Sequence, residues 1–246
     1  MGFPWEAALQ NFCDFSEEVV IAINTSEDGT YEHVLDWKRL NSMDKLVIVK
    51  TEFSYSDPEF DGKIKNAALQ ACTQDYCILL DMDEEIPTPK ENRPKWERAV
   101  QYLDSYKADC VLIPSVNLCG DKYHYKDIGY KFYLHKNHIG LQRGVAGFAR
   151  TEDGKIDIKK SDTTELIYPN GRLASSYAYY NDIGSLRNKG IPYVFHYWGV
   201  NPEQRVRQNA FWKPVWENRA GKNVDDIVLS SDLIKNTEIF AHNLPV

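Results

Sequence analysis

The sequence predicts an α/β fold organised around a mostly parallel central sheet. Three observations point there. Helix-like and strand-like stretches alternate α, β, α, β, α, β through the first half of the chain, the order that builds a parallel sheet with helices on its faces. The strand-like stretches are short, nearly unbroken apolar runs, as in strands covered on both sides. Two of them stop at clusters of polar and acidic residues, which right-handed crossovers bring to one rim of the sheet.

The elements follow in order. Trp5, Ala8, Leu9 and Phe12 recur at helical spacing, and Pro4 suits a first helical turn. Glu18–Ile23 (EVVIAI) is a buried strand that runs into the polar turn Asn24–Thr30. Thr30 is a candidate cap for a second helix from about Tyr31 to Leu40. Leu46–Val49 is a second, β-branched strand. Ile64, Ala68, Leu69 and Cys72 fall on one side of a third helix, Ile64–Cys72. Tyr76–Leu80 is a third strand, too short to be a helix of its own.

After Pro87 the pattern changes. Arg93–Tyr106 reads as a helix, and Val111–Ile113 as a strand ended by Pro114. Gly129–His135 alternates and reads as a strand. Residues 140–158 read as loop with short hairpin pieces. Pro192–Tyr197 is a buried strand that carries His196 near its end. Glu203–Arg219 is a long helix, and Ile227–Ile239 one more. No internal repeat, low-complexity stretch or linker interrupts the chain, so residues 1–246 are expected to form one domain.

Composition narrows the classes. A chain of 246 residues with 43% hydrophobic and 13% aromatic content can fill a sizeable core. The net charge of −7 argues against nucleic-acid or membrane binding over the whole surface, though not against a local basic groove. No apolar run is long enough to span a bilayer. The opening residues lack the basic and apolar regions of a signal peptide, and Glu6 stands where myristoylation wants a hydroxyl. The five cysteines are scattered without zinc spacing and read as reduced thiols. A cytoplasmic location is the resulting expectation.

The third strand ends at Asp81-Met82-Asp83-Glu84-Glu85, four carboxylates within five residues. On extended backbone Asp81 and Asp83 would share a face, repel each other and raise one another's pKa. A divalent cation resolves that conflict, and hard oxygen ligands suit magnesium or manganese. Taken alone, a solvated acidic loop is the ordinary alternative.

Flanking stretches change the weighting. The order of EVVIAINTSEDGT (Glu18–Thr30), KIKNAALQACTQDYCILLDMDEEI (Lys63–Ile86), YKFYLHKN (Tyr130–Asn137), VAGFARTEDGK (Val145–Lys155) and VFHYWGVNPEQRVRQN (Val194–Asn209) resembles a family 2-type glycosyltransferase. The resemblance covers most of residues 5 to 219. It implies the nucleotide-sugar-binding GT-A fold, a Rossmann-like three-layer sandwich. Residues 1–120 would then form the nucleotide-binding half, and 121–246 the acceptor-side half with C-terminal helices. Such folds open with a strand before the first helix, and Ile227–Leu229 is a candidate to take its place in the sheet.

What the resemblance implies falls on particular residues. Asp81 and Asp83 would hold a Mn2+ or Mg2+ ion and the donor ribose, with Asp83 the metal ligand and Asp81 the ribose or metal ligand. His196 would complete the metal shell; a rim histidine at a strand end is the plain alternative. Lys65 would meet the diphosphate, against an ordinary helix lysine. Asn24 and Asp28 would contact base and ribose, although turn chemistry explains both equally well. An inverting transfer needs a carboxylate to take the acceptor's proton; Glu84, Asp162 and Glu165 are candidates, and Glu85 is a neighbour able to shape the acceptor side. Arg143, Arg150, Arg205 and Arg207 are candidates for a basic lining, against solvated charge. Trp198, Phe211, Trp212 and Trp216 read as packing residues before they read as a sugar platform.

The functional expectation is a metal-dependent glycosyltransferase using a nucleotide-diphosphate sugar donor. The acceptor is open: a protein, a glycan, a small molecule or a nucleic-acid base. The alternatives are a catalytically inactive binding protein of the same fold and a nucleotidyltransferase, which would want a glycine-rich amino-terminal loop absent here.

Overall fold

A computed structural model describes residues 5–57, 59–137, 139–143, 166–170, 172–178, 190–201, 240–242 and 244–245, with 186, 203, 206, 207, 210 and 213 as single positions between them. The elements are α1 (Trp5–Phe15), β1 (Val19–Asn24), α2 (Thr30–Leu40), β2 (Leu46–Thr51), α3 (Phe60–Ala71), β3 (Tyr76–Ile78), β4 (Glu84–Glu85), α4 (Pro89–Ser105), β5 (Cys110–Cys119), β6 (His124–Lys136), β7 (Gln142–Arg143), β8 (Leu166–Ile167), β9 (Ser176–Ala178), β10 (Val194–Gly199) and β11 (Phe240–Ala241). The architecture is mixed α/β. Of the helix expected over 203–219 only the single positions 203, 206, 207, 210 and 213 are described, and the helix expected over 227–239 and the loop over 144–158 lie outside the described residues.

The first half follows its apolar pattern. Leu9, Phe12 and Cys13 of α1 join Val19, Ile23, Val34 and Leu46 in one buried cluster, so α1 and α2 cover the same face of β1 and β2. A fully buried leucine such as Leu9 contributes about 2 kcal/mol. The turn before α2 is held by Asp28. Its Oδ1 accepts from Ser26 Oγ (2.6 Å), Thr30 Oγ1 (2.7 Å) and Thr30 N–H (3.0 Å). Thr30 is thus inside the helix rather than its cap. Gly29 precedes it at φ +74°, a left-handed conformation that glycine adopts without cost.

β1 and β2 pair in parallel, Val19 opposite Leu46 through Asn24 opposite Thr51. The larger sheet runs β11-β6-β5-β10-β4, with β3 also on β6 and β9 also on β5. β6 lies antiparallel to β5, β3 and β11, and β4 lies antiparallel to β10. Only β9 and β10 run parallel to β5. The expected mostly parallel sheet is therefore a mixed one. The reason is local: β5 and β6 are joined across residues 120–123 without a crossover helix, and so short a connection imposes antiparallel pairing.

Pro114 does not end the fifth strand as expected. β9 pairs with Cys110–Leu112 and β10 with Ser115–Cys119, and Pro114 sits between them. The N–H groups of Cys110 and Gly120 point to the β9/β10 side, so the alternation puts the Pro114 nitrogen there too, between the two described ladders.

A second cluster fills the space between α4 and this sheet: Phe15, Ile86, Trp96, Leu103, Val111, Ile113 and Val194. Phe15 meets Trp96 edge-on at 5.8 Å. The five cysteines are all free thiols. Among the described residues no helix is long and apolar enough to cross a membrane.

Candidate functional site

The tips of β1 and β3 open onto a cavity of about 1260 Å³. Asn24, Asp28, Lys65, Asp81, Asp83 and His196 all line it.

The acidic segment is a turn, not extended strand. The Glu84 N–H donates to the Asp81 carbonyl at 3.0 Å, closing a β-turn over Asp81–Glu84. Asp81 and Asp83 therefore meet at the rim through the turn, and the strand-alternation argument does not apply to them. β4 then pairs with β10, Glu84 opposite His196, and the Tyr197 N–H donates to the Asp83 carbonyl at 2.8 Å. This pairing sets His196 Nε2 3.4 Å from Asp83 Oδ2.

The ring orientation of His196 is fixed from behind. Asn117 Nδ2 donates to Asp127, which leaves Asn117 Oδ1 facing His196 Nδ1 at 2.8 Å. Nδ1 must then carry a hydrogen, and Nε2 is the atom presented to Asp83.

Asp81 stands between two ammonium groups. Lys65 Nζ lies 3.5 Å from Oδ1 and Lys131 Nζ 3.3 Å from Oδ2. Lys65 also pairs with Asp61 at 3.3 Å. Lys131 donates to Glu84 as well. Glu84 is buried: its Oε1 also accepts the Tyr133 hydroxyl at 2.6 Å, and its Oε2 accepts the Asp81 N–H at 2.8 Å. This corrects the expectation of Glu84 as a base facing an acceptor. Its oxygens are engaged inside the protein, where it positions Lys131 and the Asp81 backbone.

The charges follow from these contacts. Burial pushes the Asp81 carboxyl up, but Lys65 and Lys131 outweigh it and hold the group below the usual carboxylate range. Burial also opposes ionisation of Asp83, and the bond from His196 outweighs it, so Asp83 is lowered too. The expected mutual raising of the two pKa values is overturned by cations that the acidic motif does not announce. Burial works against the Lys65 and Lys131 ammoniums. Asp81 and Asp61 beside Lys65, and Glu84 and Asp81 beside Lys131, more than offset it, and both are raised.

Among the described residues no three His, Cys, Asp or Glu side chains converge as a ready-made metal cage. Asp83 and His196 form a two-donor pair at the cavity rim, and His196 has the back-side support typical of a metal-ligating histidine. That donor set suits an ion that brings its remaining ligands with a phosphate substrate.

Asn24 and Asp28 carry out the turn chemistry. Asn24 Oδ1 accepts the Phe53 N–H at 2.8 Å and the Thr51 hydroxyl at 3.1 Å, and its Nδ2 donates to the Phe53 carbonyl at 3.0 Å, which ties the exits of β1 and β2 together. The expected arginine lining does not form where the chain is described. Arg143 is buried and donates to the Phe132 carbonyl at 2.8 Å, while Arg207 is exposed beside Glu203 at 3.9 Å. Asp162, Glu165, Arg150, Arg205, Phe211, Trp212, Trp216 and the Trp198 side chain lie outside the described residues.

Lys131 and Asn117 are site residues that sequence reasoning did not single out. Lys131 and Tyr133 both reach Glu84 at an irregularity in β6, and a lysine beside a buried aromatic needs a carboxylate partner. That was the available signal. Asn117 had none, because its strand was expected to stop at Pro114.

No protein-family model matches this chain, and no curated protein matches it. Among solved structures, residues 1–349 of TarS from S. aureus, a teichoic acid glycosyltransferase, are similar to it with a TM-score of 0.43 and 14% identity, over 94% of this chain and 67% of that one.

Proposed function

We propose that the chain is a GT-A-type glycosyltransferase that takes its sugar from a nucleotide-diphosphate donor. The observation that carries this reading is the meeting of two charged arrangements at one cavity rim: the Asp83–His196 pair, and Asp81 between Lys65 and Lys131. Transfer requires stabilising a departing diphosphate, and fixed positive charge at a partly desolvated site does this well. Lys65 and Lys131 supply that charge. Asp83 and His196 are the donors for a Mn2+ or Mg2+ ion, which, when bound, supplies Lewis-acid polarisation of the phosphate. Asp81 holds the two ammoniums at the rim and faces the ribose. Asn24 and Asp28 shape the nucleoside end through the turns they close.

The test joins binding to turnover. Thermal unfolding is followed with nucleoside diphosphates, with and without Mn2+, and donor breakdown is followed across a panel of nucleoside-diphosphate sugars. A metal-dependent rise in Tm together with release of nucleoside diphosphate from one donor supports the proposal. Absence of both for every donor overturns it. A rise in Tm with every sugar donor left intact favours a second reading, a binding protein without transfer. The lack of a three-donor cage among the described residues is the observation on that side.

A further inference from the structure

Cys72 and Cys77 stand at the two ends of the connection from α3 to β3, and their side chains share a hydrogen bond. The Cys72 Sγ also donates to the Ala68 carbonyl at 3.4 Å, so Cys77 is the donor in the bond between the sulfurs. The connection is pinned from both sides. Glu18 accepts the Thr73 N–H and the Thr73 hydroxyl, each at 2.8 Å. Asn137 Nδ2 donates to the Cys72 and Gln74 carbonyls at 3.0 and 2.9 Å, and the Asn137 N–H to the Asp75 carbonyl at 2.8 Å. The two sulfurs are thus held against each other by a loop with little freedom.

No other pairing of cysteines competes. Cys77 and Cys110 both stand opposite His135, one on each side of β6. Two strand spacings separate them, about 10 Å, whereas a disulfide needs α-carbons within about 7 Å. Cys13 packs in the cluster under α1, and Cys119 ends β5. Of the five thiols, Cys72 alone is not buried.

The two thiols also differ in character. The bond from Cys77 holds the Cys72 thiol below its ordinary range, against burial and the Glu18 carboxylate. The same bond and burial push the Cys77 thiol up, and burial pushes up Cys13, Cys110 and Cys119. A reachable, lowered thiol beside a protonated one is the arrangement of an attacking and a resolving cysteine.

We propose that Cys72 and Cys77 form a reversible redox pair that closes to a disulfide under a peroxide oxidant. The Cys72 thiolate attacks a peroxide oxygen, the O–O bond breaks and hydroxide leaves, which makes Cys72 a sulfenic acid. The Cys77 sulfur then attacks the Cys72 sulfur. The S–O bond breaks, and its oxygen departs as water with the Cys77 proton. The earlier hydroxide takes up the proton that Cys72 released, so two thiols are oxidised and one peroxide is reduced to two waters. The bridge fastens the end of α3, which carries Lys65, to the strand that leads to Asp81. The pair stands whether or not that site transfers sugar.

Peptide mapping of the intact chain after one equivalent of hydrogen peroxide tests it. Trypsin leaves both cysteines in the peptide 66–90. That peptide should lose about 2 Da and regain it with dithiothreitol, while titratable thiols fall from five to three. In Cys77→Ala the reaction should stop at a sulfenic acid on Cys72 that dimedone traps, and Cys72→Ala should show neither product. The map of the unsubstituted chain decides the matter even where a variant does not fold. Oxidation of Cys13, Cys110 or Cys119 ahead of this pair overturns the proposal. So does a bridge that forms only in urea, or dimedone capture at Cys72 that is equal with and without Cys77.

Discussion

The Lys131 ammonium on β6 lies 3.3 Å from the Asp81 carboxylate at the tip of β3, so two antiparallel neighbours in the sheet meet ion to ion at the cavity rim. The same lysine reaches down to Glu84, whose carboxylate is almost wholly buried. One side chain therefore joins the exposed charge of the site to charge in the interior.

Removing that side chain should show both roles. Lys131→Met leaves Glu84 buried without its cation, and breaking such a pair costs about 3 kcal/mol. Urea unfolding should report that loss. The double variant Lys131→Met/Glu84→Gln should regain part of it, because the buried charge is gone. Affinity for a nucleoside diphosphate should fall at least tenfold in both.

Asp83→Asn keeps the size of the side chain and removes its charge. The rise in Tm given by Mn2+ with a nucleoside diphosphate should vanish, while the Tm without ligands changes by a few degrees at most. An undiminished rise would remove Asp83 from the metal pair.

Asn117 does not line the cavity, but held by Asp127 it sets which nitrogen of His196 faces Asp83. Loss of such back-side support lowers metal affinity roughly 10- to 100-fold. Asn117→Leu should do so with fold and Asp83 intact, as read by Mn2+ titration. Asp127→Asn keeps a hydrogen-bond acceptor for Asn117 and should have a smaller effect.

Acid stability should fall in two windows. Burial lowers the His135 imidazole to about 3 from its ordinary 6.5. Between those values the unfolded chain binds a proton that the folded chain refuses, so stability falls as pH falls from 6.5. By pH 4 the loss is about 3 kcal/mol. Asp81 and Asp83 are lowered carboxylates. Their contribution is intact above the ordinary carboxylate pKa of about 4 and is lost below it. Urea midpoints at pH 7, 5 and 4 should therefore drop before the carboxylates titrate, and His135→Leu should flatten that first drop.

How much of this was legible in the sequence depends on the kind of signal. The helix-strand order of the first half was readable because each apolar run packs on its immediate neighbours, as Leu9, Val19, Val34 and Leu46 do. Asn24 was readable because it closes a strand, and Asp81 because it follows one. Antiparallel β6 was not, because pairing direction depends on a connection of four residues and not on the apolar run itself. The partners of Asp81 were half readable. Lys65 lies a helix and a turn upstream, whereas Lys131 arrives from a strand distant in the chain. Glu84 shows the limit most plainly. An acid in an acidic cluster reads as exposed, and only the sheet reveals that Tyr133 and Lys131 enclose it.

The seam in β5 at Pro114 reverses a common rule of protein engineering. Proline is usually the residue to take out of a strand, and alanine the safe replacement. At this junction β5 passes from one described parallel neighbour to the next, and an ordinary residue would place there a buried amide hydrogen that neither described ladder takes up. Pro114→Ala should therefore lower stability by about 1–3 kcal/mol, the cost of a stranded donor. Imino-acid chemistry acts here as a joint between two half-length partners, letting one long strand serve both.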